Sequence, residues 1–176
     1  MTESLRNFNR ALNESKELLE CYEALNQHPE LKIPSALKKA SLIMALTAWE
    51  TYVEDVATEL FHQQIKVIKG SLLGSFAKKQ IEARLKFFHN PNSKKTKHLF
   101  EEFFNLDVTE HWSWNNVTPI DAREQLNKWI AKRGEAVHRN TVTLNQPSII
   151  KKDELIKCLY FFEELAKSTD VALKSI

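Results

Sequence analysis

The sequence predicts an all-α fold, a helical bundle of four main helices plus short extra ones. Three observations carry this expectation. Apolar residues recur at steps of three and four through most of the 176 residues. Glycine (3) and proline (5) are scarce, against a usual joint share of roughly 12%, whereas sandwiches and barrels use both for frequent turns. The prolines that do occur stand between the periodic stretches, where helices start or stop.

Taken in order, Leu5, Phe8, Leu12, Ser15, Leu19 and Tyr22 form the stripe of a first helix. It should end near Asn26, before Pro29. Leu42, Leu46, Trp49, Val53, Val56 and Leu60 mark the longest periodic stretch, from Ser35 to about Lys69, with Gly70 as its stop. Phe76 to Phe88 reads as a third, shorter helix, closed by Asn90, Pro91 and Asn92. A basic loop and a brief helix around His98 to Phe104 follow. From Leu106 to Val117 the pattern is irregular, with Trp112 and Trp114 expected to pack over the core. Thr118 and Pro119 are a strong start signal, a hydroxyl cap followed by proline in the first helical position. The helix they open presents Ala122, Leu126, Trp129, Ile130 and Val137, and should end close to Asn140. Leu144 to Ile150 reads as an extended connector, and Leu155, Leu159, Phe162, Ala166 and Leu173 as the stripe of a last helix.

Composition excludes several chemistries. The three glycines fit neither a dinucleotide fingerprint nor a Walker loop. Histidines 28, 62, 89, 98, 111 and 138 never fall three or four apart, and no HExxH or paired CxxC occurs, so no metal site and no cofactor is expected. The longest apolar run, Leu42 to Leu46, cannot span a bilayer, which takes about 20 residues. The N-terminus lacks the basic start and apolar core of an export signal, so a cytoplasmic location is expected. Cys21 and Cys158 then read as reduced core thiols. Net charge is only +2, but it is unevenly spread. Residues 46–62 carry Glu50, Glu54, Asp55 and Glu59 without a lysine or arginine, whereas 76–98 carry seven cations against Glu82. Such runs are either solvated helix faces or, for the basic one, a guide for a polyanion.

One residue breaks the pattern. On the helix after Pro119 the apolar stripe calls for a hydrophobe at position 133, and the sequence has Arg133. An inward guanidinium is costly without an anionic partner. His138 follows near the helix end. Spacing alone leaves two readings open: a structural arginine paired with Glu50 or Glu54 and a histidine capping terminal carbonyls, or a functional pair.

The segment Arg133-Gly-Glu-Ala-Val-His138, an Arg and a His with four residues between them just before the final helix, resembles the signature of HEPN domains. The second helix, Leu42-Ile-Met-Ala-Leu-Thr-Ala-Trp-Glu-Thr-Tyr-Val-Glu-Asp-Val, is similar to the WE-x-YVE helix of RiboL-PSP-type HEPN proteins. The likeness spans about 35 to 170. It implies a single HEPN-like helical domain over residues 1–176 that pairs into a homodimer, both motifs lining one cleft. It implies a metal-independent endoribonuclease with Arg133 and His138 as catalytic residues. It also implies a role as a toxin or phage-defence effector, with a cognate antitoxin protein as a further partner. Family members commonly have a polar residue after the arginine, often asparagine; here it is Gly134.

These residue types suit the chemistry in their own right. Cleavage through the 2′-hydroxyl needs a proton acceptor, which histidine supplies near neutral pH. It also needs charge compensation at phosphorus, which arginine supplies with paired donors. On an ideal helix positions 133 and 138 lie about 140° apart, so a two-fold partner would help complete the site. Glu50 and Glu54 are expected to orient the pair and, as exposed like charges one turn apart, to repel mildly. Lys94, Lys95, Lys97, Lys128, Lys132 and Arg139 are candidates for holding RNA. The alternative is a non-catalytic HEPN-like interaction module that binds a nucleotide or a partner protein.

Overall fold

The computed structural model describes residues 1–28, 35–138 and 149–174, the side chain of His138 excepted. They form helices α1 (Glu3–Leu25), α2 (Ala36–Gln64), α3 (Leu72–Leu85), α4 (Ser93–Phe104), α5 (Pro119–His138) and α6 (Lys152–Leu173), in an all-α fold with no strand among the described residues. Of the expected Leu144 to Ile150 connector only Ile149 and Ile150 are among the described residues.

Helix α1 starts at a Thr2 cap, whose hydroxyl accepts from Leu5 N at 3.0 Å. Its start is also held by carboxylates from other helices. Asp170 of α6 accepts from Thr2 N at 3.0 Å, and Glu59 of α2 accepts from Ser4 N at 3.0 Å and Ser4 Oγ at 2.6 Å. These anions sit where the helix dipole and its unpaired N–H groups favour them. Helices α1 and α2 meet with the Phe8 and Tyr52 rings 5.4 Å apart, and the buried Ser41 hydroxyl donates to the Ser15 carbonyl at 2.7 Å. After Gln64 the second helix tightens into a 3₁₀ turn, Ile65–Ile68, and stops at Gly70, whose φ of 89° suits only glycine comfortably.

The core is organised around Trp49, fully buried on α2, whose ring lies 5.8 Å from Tyr52, 6.0 Å from Trp112 and 6.2 Å from Phe162. Each polar edge is satisfied: Trp49 Nε1 donates to Pro91 O at 3.0 Å, Trp112 Nε1 to Thr169 Oγ1 at 2.9 Å, and the Tyr52 hydroxyl to Ala166 O at 3.1 Å. Burial pushes the Tyr52 hydroxyl well above its ordinary pKa, and the Asp170 and Glu59 charges add to the rise. Trp112 packs inside as expected, while Trp114 is half-buried against Phe161.

Four expectations need correction. Helix α3 begins a turn earlier than Phe76, because Ser71 caps it by accepting from Gly74 N at 3.0 Å. The basic stretch Lys94 to Lys97 is helical rather than a loop, because Asn92 caps α4 by accepting from Lys95 N at 2.9 Å. Cys21 is exposed; only Cys158 is a core thiol, which burial pushes far up, with Lys132 opposing. On α5, Ala136 is buried and Val137 is 45% exposed, because the inward stripe steps by three from Arg133.

Candidate functional site

The site lies where α2, α5 and the loop between α3 and α4 meet. Thr118 and Asp121 exchange capping bonds at the start of α5, with Asp121 N donating to Thr118 Oγ1 and the Thr118 hydroxyl donating back to the carboxylate at 2.6 Å. That start sets the phase in which Ala122, Leu126 and Ala136 are buried. Arg133 is on the same stripe and points toward α2. Its Nη1 donates to Glu50 Oε2 at 3.0 Å and also to Asn90 Oδ1. The pair is half-buried, with side chains 20% and 16% exposed. Arg133 Nε is shielded from solvent and has no hydrogen-bond partner among the described residues.

The second Glu50 oxygen faces His89, with Oε1 at 3.4 Å from Nδ1. Glu50 therefore bridges a buried-edge cation and an imidazole whose side chain is 68% exposed. Glu54 follows one turn later on α2. Burial raises its pKa first, the Glu50 and Asp55 charges raise it further, and His89 opposes them. Contrary to the sequence expectation, neither glutamate is fully exposed.

The loop bearing His89 is tied down from four directions. Phe88 is buried beneath it, and Asn90 turns the chain with a left-handed φ of 52°. The Pro91 carbonyl takes the Trp49 indole proton. Ser93 N and Oγ each donate to Asn127 Oδ1 of α5 at 3.1 Å. Lys95 of α4 reaches back to the His89 carbonyl. Trp49 on α2 thus places the loop, and the adjacent Glu50 faces its His89.

Of the residues proposed from sequence, Arg133 and Glu50 come together directly and Glu54 lies beside them. His138 is the last residue of α5, and its side chain is outside the described residues; so is all of Arg139. The helix runs unbroken through Gly134. Among the basic candidates, Lys97 is held by Asp107 at 2.6 Å and Glu101 at 3.4 Å, and Lys132 by Glu154 at 2.9 Å. Lys94, Lys95 and Lys128 are exposed. Sequence reasoning did not single out His89 and Asn90. The Asn-Pro-Asn turn was legible, but its contact with Arg133 spans 43 residues and leaves no local signal. Among the described residues no group of three or more His, Cys, Asp or Glu side chains is placed to hold a metal ion, and no helix is long and apolar enough to cross a membrane.

The RiboL-PSP-HEPN family model matches residues 9–175. No curated protein and no solved structure matches the chain. The family match covers nearly the whole chain and takes in both the Trp49-Glu50 helix and the Arg133-to-His138 segment, so the chain belongs to the RiboL-PSP-HEPN family.

Proposed function

We propose that the protein is a metal-independent endoribonuclease that cleaves RNA by attack of the 2′-hydroxyl on the adjacent phosphodiester. The observation that carries this reading is the Arg133–Glu50–His89 array: a permanent cation and an imidazole on the two oxygens of one carboxylate, at an open edge of the fold. A guanidinium has five N–H donors, and Glu50 and Asn90 engage only those of one nitrogen. With Nε shielded from solvent, the two donors of Nη2 suit a phosphoryl oxygen, whose charge grows as the pentacoordinate phosphorane forms. A histidine takes the 2′-hydroxyl proton, the P–O5′ bond breaks, and the departing 5′-oxygen acquires a proton. The products are a 2′,3′-cyclic phosphate and a 5′-hydroxyl, and His138 is assigned as a catalytic residue with Arg133.

In this reading two protomers join with their α5 segments facing one cleft, and the exposed Lys94, Lys95 and Lys128, with Arg139, guide the strand. The biological setting is a toxin or phage-defence effector held in check by a cognate antitoxin protein, in the cytoplasm. The Arg133–Glu50 ion pair itself favours a second reading, a HEPN-like module in which the arginine is structural and the surface binds a nucleotide or a partner protein. Incubating RNA with the protein, and with Arg133→Ala and His138→Ala, in the presence of a chelator separates the two. The nuclease reading expects cleavage lost in both variants; the module reading expects intact RNA throughout.

A further inference from the structure

We propose that His89 is a proton-transfer group of this site, oriented by Glu50. The inference rests on the ribonuclease reading and adds to it a residue that lies outside the Arg133-to-His138 segment.

The Glu50 carboxylate beside Nδ1, at 3.4 Å, favours the tautomer that carries its proton there. That leaves the Nε2 lone pair free on the side of the ring away from Glu50. A carboxylate placed beside one ring nitrogen is the arrangement that orients an imidazole for proton transfer at the other. The ring is 68% exposed, yet its backbone is pinned by Lys95 at its own carbonyl and by the Trp49 bond to Pro91 two residues on. An accessible ring on an immobilised loop has the combination a general base needs: reach to substrate at a fixed position. Because Glu50 touches both groups, His89 and Arg133 converge on one small region. Helix α5 alone does not provide this, since its positions 133 and 138 diverge by about 140°. The charged groups around His89 are Glu50 and Glu54 from α2, Arg133 from α5 and Lys95 from α4.

The test compares the full-length protein with His89→Gln and His89→Ala on single-stranded RNA in a chelating buffer, following initial rate against pH together with thermal unfolding. Both variants should melt like the parent, because the side chain is exposed. Their rates should fall by about 10²-fold, the scale of losing an acid–base group, and the limb of the pH profile due to His89 should vanish. Added imidazole should restore part of the His89→Ala rate, which a purely structural role would not allow. If the parent cleaves RNA and His89→Gln matches it in rate and pH profile, the role of His89 is overturned while the ribonuclease reading stands. If the parent and both variants leave RNA intact, the ribonuclease reading fails, and the role of His89 with it.

Discussion

Glu50 Oε2 accepts from Arg133 Nη1 at 3.0 Å, joining α2 to α5 at an edge where both side chains keep less than a quarter of their surface exposed. Removing one partner leaves the other charge half-buried. Arg133→Ala should therefore destabilise by about 1–3 kcal/mol, between the costs for exposed and fully buried pairs. The melting temperature should drop by roughly 3–10 °C. Glu50→Gln combined with Arg133→Met should recover part of that loss, because no charge is then stranded. An Arg133→Ala protein that melts at the parent temperature would show that the pair adds nothing to the fold.

Gly134 gives the opposite prediction. It lies inside α5 without a positive φ, and a Cβ built there meets nothing within 4 Å. Gly134→Ala should stabilise the protein by about 0.5–1 kcal/mol through helix propensity. The melting temperature should rise by roughly 1–4 °C. Cleavage should be retained, because the arginine's partners lie on α2 and the loop. Loss of activity in a stabilised Gly134→Ala protein would mean that helix α5 must bend at this position during the reaction.

Two carboxylates at the start of α1 contribute to the acid limit of stability. Burial pushes the Asp170 carboxyl up, but bonds from the Thr2 hydroxyl and amide, with Lys174, bring it below its ordinary value. Glu59 behaves alike: burial raises it, and the Ser4 hydroxyl and the Ser4 and Glu3 amides outweigh that rise. Both groups hold protons less tightly in the folded chain than in the unfolded one. Their stabilisation is therefore full above the ordinary carboxylate pKa of about 4 and is lost as pH falls through the lowered folded values. Melting curves taken at descending pH should fall steeply in that window, and the slope should flatten in Asp170→Asn and Glu59→Gln. An unchanged slope in both variants would contradict this assignment.

Trp49 couples the core to the site. Trp49→Phe keeps an aromatic ring but removes part of a fully buried indole and leaves the buried Pro91 carbonyl without its donor, which should cost about 2–4 kcal/mol. Because that bond places the loop bearing His89 and Asn90, the rate of RNA cleavage should fall more than the modest loss of folding explains. A variant that is destabilised yet fully active at low temperature would show that the loop is placed without the tryptophan.

Much of this was legible in the sequence, for identifiable reasons. The long helices announce themselves through stripes such as Leu42-Leu46-Trp49-Val53, and Thr118-Pro119 marks the start of α5 because its capping chemistry is local. Arg133 stood out because a guanidinium replaced an expected hydrophobe, and Glu50 was one of two acids within reach. The sequence does not separate Val137 from Ala136 as the inward residue, because steps of three and four from Arg133 both suit a helix and only packing selects Ala136. Cys21 gave no cue to its exposure. His89 and Asn90 were invisible because the bond from Trp49 to Pro91, 42 residues apart, brings their loop to Glu50.

Cleavage of single-stranded RNA in EDTA by the parent protein, beside Arg133→Lys, tests the central claim most directly. Arg133→Lys keeps the charge toward Glu50 but loses the two-pronged phosphoryl contact. The parent should yield 2′,3′-cyclic phosphate and 5′-hydroxyl ends and leave an all-DNA strand intact. It should migrate at about 41 kDa, twice the 20.5 kDa of one chain. The folded Arg133→Lys protein should be slower by about 10²-fold. A parent protein that leaves RNA intact, or cuts it only when magnesium or manganese is added, would contradict the account, as would an Arg133→Lys protein that cleaves at the parent rate.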